Sequence, residues 1–406
     1  MSANSNTAWR HFFRNRLAMA GTIVFAVFCV LSVFAVILST DSTPDAARQV
    51  PEATRLPPGS QLPFLRISNR NLASEFSIRY AFLGQPDRYT RVLLQNSDSC
   101  LVHQDTLLCL TYAQGWRKFL LPIVYANPDP QLPFNAACLL KWQKPYAIVN
   151  DKYIWQNATN FESVPVHQLH AAVLNNQIST YTWYLGSDGL GRDLYSRLLL
   201  GARISIAVGL VSVLISLSLG LVLGAIAGYA GGRLDALIMW FVSIVWSLPS
   251  LLLAMVLSFV LGKGFWQVFV AVGATLWVDV ARIVRGQVMS LREMSYVEAA
   301  RALGYSHTRI LFRHIVPNLM GPLMILSASI FASAVLVESG LSFLGIGIQA
   351  PAPSWGGLIR EGYSQILLSG GQWLAIFPGL AITLLVVSLN LIGYGLRDAF
   401  DPKRSE

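Results

Sequence analysis

Apolar positions in this chain fall in long unbroken runs rather than at a helical or strand period. Residues 17–40 form 24 residues without a charge, and a bilayer core needs about 20 helical residues. The runs 204–232, 236–262, 317–337 and 362–396 are likewise uncharged, and 264–284 is interrupted only by Asp279 and Arg282. One such run could be a buried helix of a soluble domain. Five in succession after the first cannot be, because no single core covers that many helices that are apolar all round. The pattern therefore predicts six membrane-spanning helices. A signal peptide would have a shorter apolar run of about 7–15 residues, so residues 17–40 read as an uncleaved first span.

Between the first two spans the pattern changes. Twelve of the 19 prolines lie between residues 41 and 185. Short runs such as RYAFLG, RVLLQ, LLCLTY and YAIVN alternate there with turn residues, as in a small, mostly β or irregular domain. Three segments follow: 1–40, a cytoplasmic tail and first span; 41–185, an external insert domain; 186–406, a helical core.

Composition supports a membrane protein. The chain is 54% hydrophobic and 13% charged, about half the charged share of a soluble domain. The net charge of +9 would suggest nucleic acid in a soluble protein. Here its placement follows topology, since cytoplasmic loops carry the excess of Lys and Arg. Arg10, Arg14 and Arg16 precede the first span, Arg233 follows the second, and Arg397, Lys403 and Arg404 follow the sixth. The two short outer loops carry one basic residue each, Lys263 and Arg360. Both termini are thus expected in the cytoplasm. Arg192, Arg197 and Arg203 run against the bias, but long external domains cross largely regardless of charge.

The most informative polar stretch is 290–322, SLREMSYVEAARALGYSHTRILFRHIVPNLMGP, with Arg292, Arg301, Arg309 and Arg313. It lies between two spans on the expected cytoplasmic side. Residues 296–303 are rich in helix formers. Gly304 suits a left-handed cap, Ser306 suits the start of a second helix, and Pro317 opens the next span.

Tyr296, Glu298, Ala299, Ala300, Arg301, Gly304 and, thirteen residues on, Pro317 resemble the EAA loop of ABC-importer permeases. In that family the loop is the helix that docks on a cytoplasmic ATPase. His314 stands where the general pattern has Ile. A second block is Gly186, Ser187, Asp188, Gly191, Arg192 and Asp193, continuing through Ser196-Arg197-Leu198 to Arg203. Read from the residues alone, it is a glycine-rich turn followed by an amphipathic helix at the membrane surface. It also resembles the region before the second span in C-type permeases of the dipeptide, oligopeptide and nickel family. A third block runs from Glu338 through Ser342 and Gly345 to Trp355 and Gly356, and a fourth is Leu396 to Pro402, with Tyr394 where the family has Asp. The resemblance covers 186–406 and, by layout, the first span, but not the insert.

The resemblance implies a type I permease fold in a bacterial cytoplasmic membrane. It implies a second permease subunit, two ATP-binding subunits and an extracytoplasmic substrate-binding protein. The chain would not be an enzyme and would hold no cofactor, with ATP and Mg on the partners. No Gly-rich loop ending in Lys-Ser/Thr is present, which agrees. In this picture the two alanines let the helix approach its partner, Gly304 permits the turn and Arg301 meets acidic groups. Peptides are the expected cargo. Rival readings are a nickel or metal-chelate importer, a membrane-anchored sensor working through its insert and, lowest, an integral membrane enzyme.

Remaining residues add less. Glu338 is an ionisable group in or beside a span, where such groups face a bundle interior or wet cavity, so it is a pathway candidate. Asp279 and Arg282, one turn apart, suggest a local ion pair. Cys100 and Cys109 suit a hairpin disulfide. Cys138 is left over, however, and spacing does not fix connectivity. His167 and His170 could share a metal on a helix, but a structural site normally needs four ligands, so exposed polar residues are the expectation and no metal is assigned.

Overall fold

The computed structural model describes residues 9–41, 43–68, 83–84, 89–95, 100–103, 106–111, 115–120, 147–157, 160–262, 264–367 and 371–400. Cys138, Lys263, Lys403, Arg404 and most of RYAFLG lie outside them. The chain divides into two compact units, one of Met1–Leu38 with Ser196–Glu406 and one of Ser39–Tyr195.

The first unit is helical. Its elements are α1 (Arg16–Val33), α2 (Leu194–Ala230), α3 (Gly232–Trp246), α4 (Ser250–Leu261), α5 (Phe265–Arg292), α6 (Ser295–Ala302), α7 (Met320–Phe343), α8 (Trp355–Tyr363) and α9 (Trp373–Phe400). Five helical stretches among the described residues are long and apolar enough to cross a membrane: α1, α2, α5, His307–Phe343 and α9. The third expected span is not one rod. It is the pair α3 and α4, bent by 93°. Pro249 causes the break: proline lacks an N–H and clashes with the preceding helical turn, and it sits at φ −56°, ψ 128°, outside helical space. The sixth run, 362–396, is long enough for a lead-in plus a span, and it is built that way: Gly362 belongs to α8 and the last long helix starts at Trp373.

Small residues set the spacing of the helices. Gly220, Gly224 and Gly228 recur every four residues on α2. A Cβ there would lie 2.4 Å from Val280 Cβ, 2.5 Å from Ala281 O and 2.7 Å from Arg285 O respectively. This ridge of glycines lets α5 approach to backbone contact, as small residues do between membrane helices. Arg285 also donates two hydrogen bonds to Asp235 of α3, at 2.5 and 2.6 Å.

Among the described residues, the second unit holds nine strands in three antiparallel sheets. One has the order β2 (Tyr89–Leu93), β1 (Ser60–Ser68), β9 (Ile178–Trp183). The others are meanders of β3 (Cys100–His103), β4 (Thr106–Thr111) and β5 (Gly115–Leu120), and of β6 (Ala147–Val149), β7 (Lys152–Asn157) and β8 (Asn160–Pro165). Strand side chains alternate faces. Accordingly Leu65 joins a core of Leu94, Leu107, Tyr153 and Leu169, while its neighbour Phe64 joins Val50, Ala53, Leu93 and Trp183. Cys100 and Cys109 are direct partners across β3 and β4 and are joined by a disulfide.

Candidate functional site

The stretch after α5 folds as two short helices with a tight turn between them. At the end of α6, Tyr305 N–H donates to Ala300 O and Gly304 N–H to Arg301 O, the paired bonds of a Schellman cap. Gly304 has φ +75°, the left-handed region that favours glycine. Ser306 then caps His307–Ile310 by accepting from Arg309 N–H. Beyond it, Leu311–Ile315 widens to a π turn and Val316–Leu319 tightens to a 3₁₀ turn around Pro317. Proline clashes with the carbonyl four residues back, and the mixed turns carry the chain into α7. His314 stacks on Tyr305, with ring centroids 5.8 Å apart.

Two apolar residues anchor α6, and Tyr296 adds one exposed bond, accepting from Asn318 Nδ2 at 3.2 Å. Val297 and Ala300 are buried, whereas Tyr296, Glu298, Ala299, Arg301, Gly304 and Pro317 are exposed. The two alanines therefore do different jobs: only Ala299 faces outward, and Ala300 packs inward. Beside α6 lies a polar cleft of about 350 Å³ lined by Tyr229, Arg292, Glu293, Glu298, Arg301 and His307. Arg292 donates to Tyr229 O at 3.2 Å, satisfying a carbonyl at the α2 C-terminus. Tyr229 Oη lies 2.9 Å from His307 Nδ1.

At the other end of α2 the helical unit is closed. Arg197, 2% exposed, donates to both oxygens of Glu361, at 2.6 and 3.2 Å. Trp355 is buried, donates its indole N–H to Leu198 O at 2.9 Å and packs against Gly201 and Phe28. Glu338 has no exposed surface. Its carboxylate accepts from Ser342 Oγ at 2.7 Å, and that oxygen accepts from Ile348 N–H at 3.2 Å. Glu338 is thus wired to the loop that leads into α8.

In the strand-bearing unit, residues 186–193 fold into one knot. Asp188 is wholly buried; it accepts from Leu190 N–H, Arg192 N–H and Arg192 Nε. Ser187 Oγ donates to Ala53 O and accepts from Leu56 N–H. Asp193 accepts from Thr40 Oγ1 at 2.6 Å. A Cβ on Gly191, at φ +72°, would sit 1.8 Å from Val50 O. The predicted Gly186, Asp188, Gly191, Arg192 and Asp193 are brought together as a clamp on residues 40–58. Tyr181 lies by the same knot, and burial with the nearby charge of Asp193 pushes its phenol up. The surface-helix reading of this stretch does not hold. Arg192, Leu194, Ser196, Arg197, Leu199 and Leu200 are all buried, and from Leu194 the chain continues as α2. Arg203 lies half-buried farther along that helix.

The Asp279–Arg282 ion pair is replaced by something else. Trp246, the last residue of α3, donates its indole N–H to Asp279 Oδ1 at 3.2 Å. Arg282 stacks on the same ring at 4.2 Å. Trp246 intervenes because the bend at Pro249 turns the chain there, and its ring gives both charges a partner. Nothing in the residue pattern pointed to Trp246; the proline inside the apolar run 236–262 was the available signal. His167 and His170 sit on the short helix Val166–Ala172. Among the described residues no three His, Cys, Asp or Glu side chains are grouped to hold a metal.

Residues 220–406 match the family described as "Binding-protein-dependent transport system inner membrane component". Residues 5–58 match the "N-terminal TM domain of oligopeptide transport permease C". The oligopeptide transport system permease protein OppC of Bacillus subtilis is 41% identical over 221 residues, which are 54% of this chain and 72% of that protein. The dipeptide permease DppC of the same organism is 42% identical over 221 residues, 54% of this chain and 68% of that protein. The glutathione permease GsiD of Pectobacterium atrosepticum is 41% identical over 230 residues, 57% of this chain and 75% of that protein. A chain of the inward-facing MetNI methionine ABC transporter aligns with 50% of this chain and 96% of its own length, at 18% identity and a TM-score of 0.42. The chain is a non-enzymatic permease subunit and belongs to the family of binding-protein-dependent transport system inner membrane components.

Proposed function

We propose that this chain is one of two permease subunits of an ATP-driven peptide importer, and that α6 receives one of its ATPases. The relatives' printed names, oligopeptide, dipeptide and glutathione permeases, support a peptide cargo. The observation that carries the docking reading is the split of α6 into an inner side, Val297 and Ala300, and an exposed side, Glu298, Ala299 and Arg301. A short helix anchored by two buried residues and one exposed hydrogen bond, from Asn318 to Tyr296, with a polar cleft beside it, suits a removable partner. ATP and Mg would be held by that partner. The reading takes the type I permease fold, six spans with the bent pair α3–α4 counted as one, both termini in the cytoplasm of a bacterial inner membrane, and residues 41–185 outside. Glu338 then fixes the loop before α8 from within the bundle.

The test is uptake by the chain reconstituted with its partner subunits in proteoliposomes. ATP-dependent accumulation of peptide, and none of Ni²⁺, is expected. Ala299→Trp puts a large ring on the exposed side only, and should abolish uptake while the chain still reaches the membrane. Peptide uptake by that variant at the parental rate would refute docking through α6.

A further inference from the structure

The bend between α3 and α4 opens a cavity. It has a volume of about 290 Å³ and is lined by Trp246, Leu248, Pro249, Ser250, Thr275 and Asp279, among others. That is close to the lower end of small-ligand sites, about 300 Å³. Irregular backbone at membrane depth is tolerated only where protein covers it or a wet cavity adjoins it, and interrupted spans recur at substrate sites of transporters. Asp279 stands in the interior half of α5, and from Trp277 to Ala281 it alone is exposed. A carboxylate facing hydrocarbon there would be costly. Its exposed side must therefore meet water or another polar group. It is also held in place: the Trp246 N–H bonds Oδ1, and the Arg282 guanidinium covers the opposite use of that ring. α4 starts at Ser250, where the backbone N–H groups of the first turn lack helical acceptors.

We infer that this cavity is a contact point for the cargo on its way through the permease, with Asp279 taking the α-ammonium group of a peptide and Trp246 acting as the residue that positions Asp279. A carboxylate selects a cationic end, an indole face beside it accepts the neighbouring peptide plane, and the start of α4 offers donors to a carbonyl. The inference rests on the peptide reading above.

The experiment compares maximal ATP-driven uptake of trialanine and Nα-acetyl-trialanine by the complete transporter, with the binding protein saturated in each case. The same binding protein serves every variant, so a change in the ratio of the two rates belongs to the permease. Asp279→Asn should cut the preference for trialanine about threefold, the size expected for a half-solvated ion pair. Asp279→Glu should restore it, and Trp246→Phe should lower it less. If the variants at 279 do not assemble, Ser250→Cys, near-isosteric, exposed and on the cavity wall, replaces them in a chain that also carries Cys29→Ser and Cys138→Ser. A cationic methanethiosulfonate should modify that cysteine, and trialanine should protect it. An unchanged ratio in Asp279→Asn, or no modification at 250 in any nucleotide state because a partner subunit fills the cavity, overturns the inference alone. A parental transporter that imports no trialanine overturns the peptide reading and this inference with it.

Discussion

The two ends of α2 are built on opposite principles. Near Leu198, a buried arginine is held by both oxygens of Glu361, a buried tryptophan is bonded to backbone, and a buried glutamate is tied to the next loop. Near Tyr229, the contacts are a single side-chain bond to His307, Arg292 on helix-end carbonyls, and a short helix anchored by Val297 and Ala300. A buried guanidinium is costly to part from its carboxylate, even a partly exposed one such as Glu361, and so tolerates little displacement. Exposed single hydrogen bonds break and reform at small cost. The first end is made to keep one geometry, and the second to present a surface that a partner completes. What separates them is burial of the polar groups, since both ends are rich in arginine.

That contrast can be broken experimentally, and the ridge joining both ends comes first. Gly224→Leu places a side chain where a single Cβ already lies 2.5 Å from Ala281 O. Overpacking against backbone should cost about 3 kcal/mol or more, seen as loss of a monodisperse transporter on size-exclusion chromatography. Next, Glu361→Ala takes the carboxylate from Arg197 while that guanidinium stays buried. The expected loss is about 3 kcal/mol, read as a lowered Tm of the purified complex, and Glu361→Gln should lose less. Last, Tyr229→Phe removes one exposed hydroxyl contact and should change stability by about 0.5 kcal/mol or less. A Tm shift for Tyr229→Phe as large as that for Glu361→Ala would erase the distinction between the ends.

Much of the α6 region was legible in the residues. The left-handed turn followed from Gly304 after a run of helix formers, and the second helix from Ser306. Both are local effects, fixed within a few residues. The disulfide was legible as one pairing among several, and the β3–β4 register supplies the choice. What could not be read depends on residues far apart in the chain. That the 186–193 turn clamps residues 40–58 rests on bonds such as Ser187 to Leu56, 131 positions apart. The division of labour between Ala299 and Ala300 needs the helix face that α6 turns inward. The break at Pro249 was announced by the proline, but an uncharged run of span length concealed it, since hydropathy alone does not distinguish one rod from two. Charge spacing likewise suggested a pair between Asp279 and Arg282, and the intervening Trp246 came from another helix.

The central claim is that the sparsely held end of α2 is the one a cytoplasmic ATPase completes. Cysteines placed singly at Ala299, on α6, and at Tyr363, exposed at the end of α8, test it directly in membranes holding the whole transporter. With a short bifunctional crosslinker, Ala299→Cys should yield an adduct with the ATP-binding subunit and Tyr363→Cys none. An adduct from Tyr363→Cys, or none from Ala299→Cys in any nucleotide state, would contradict the account.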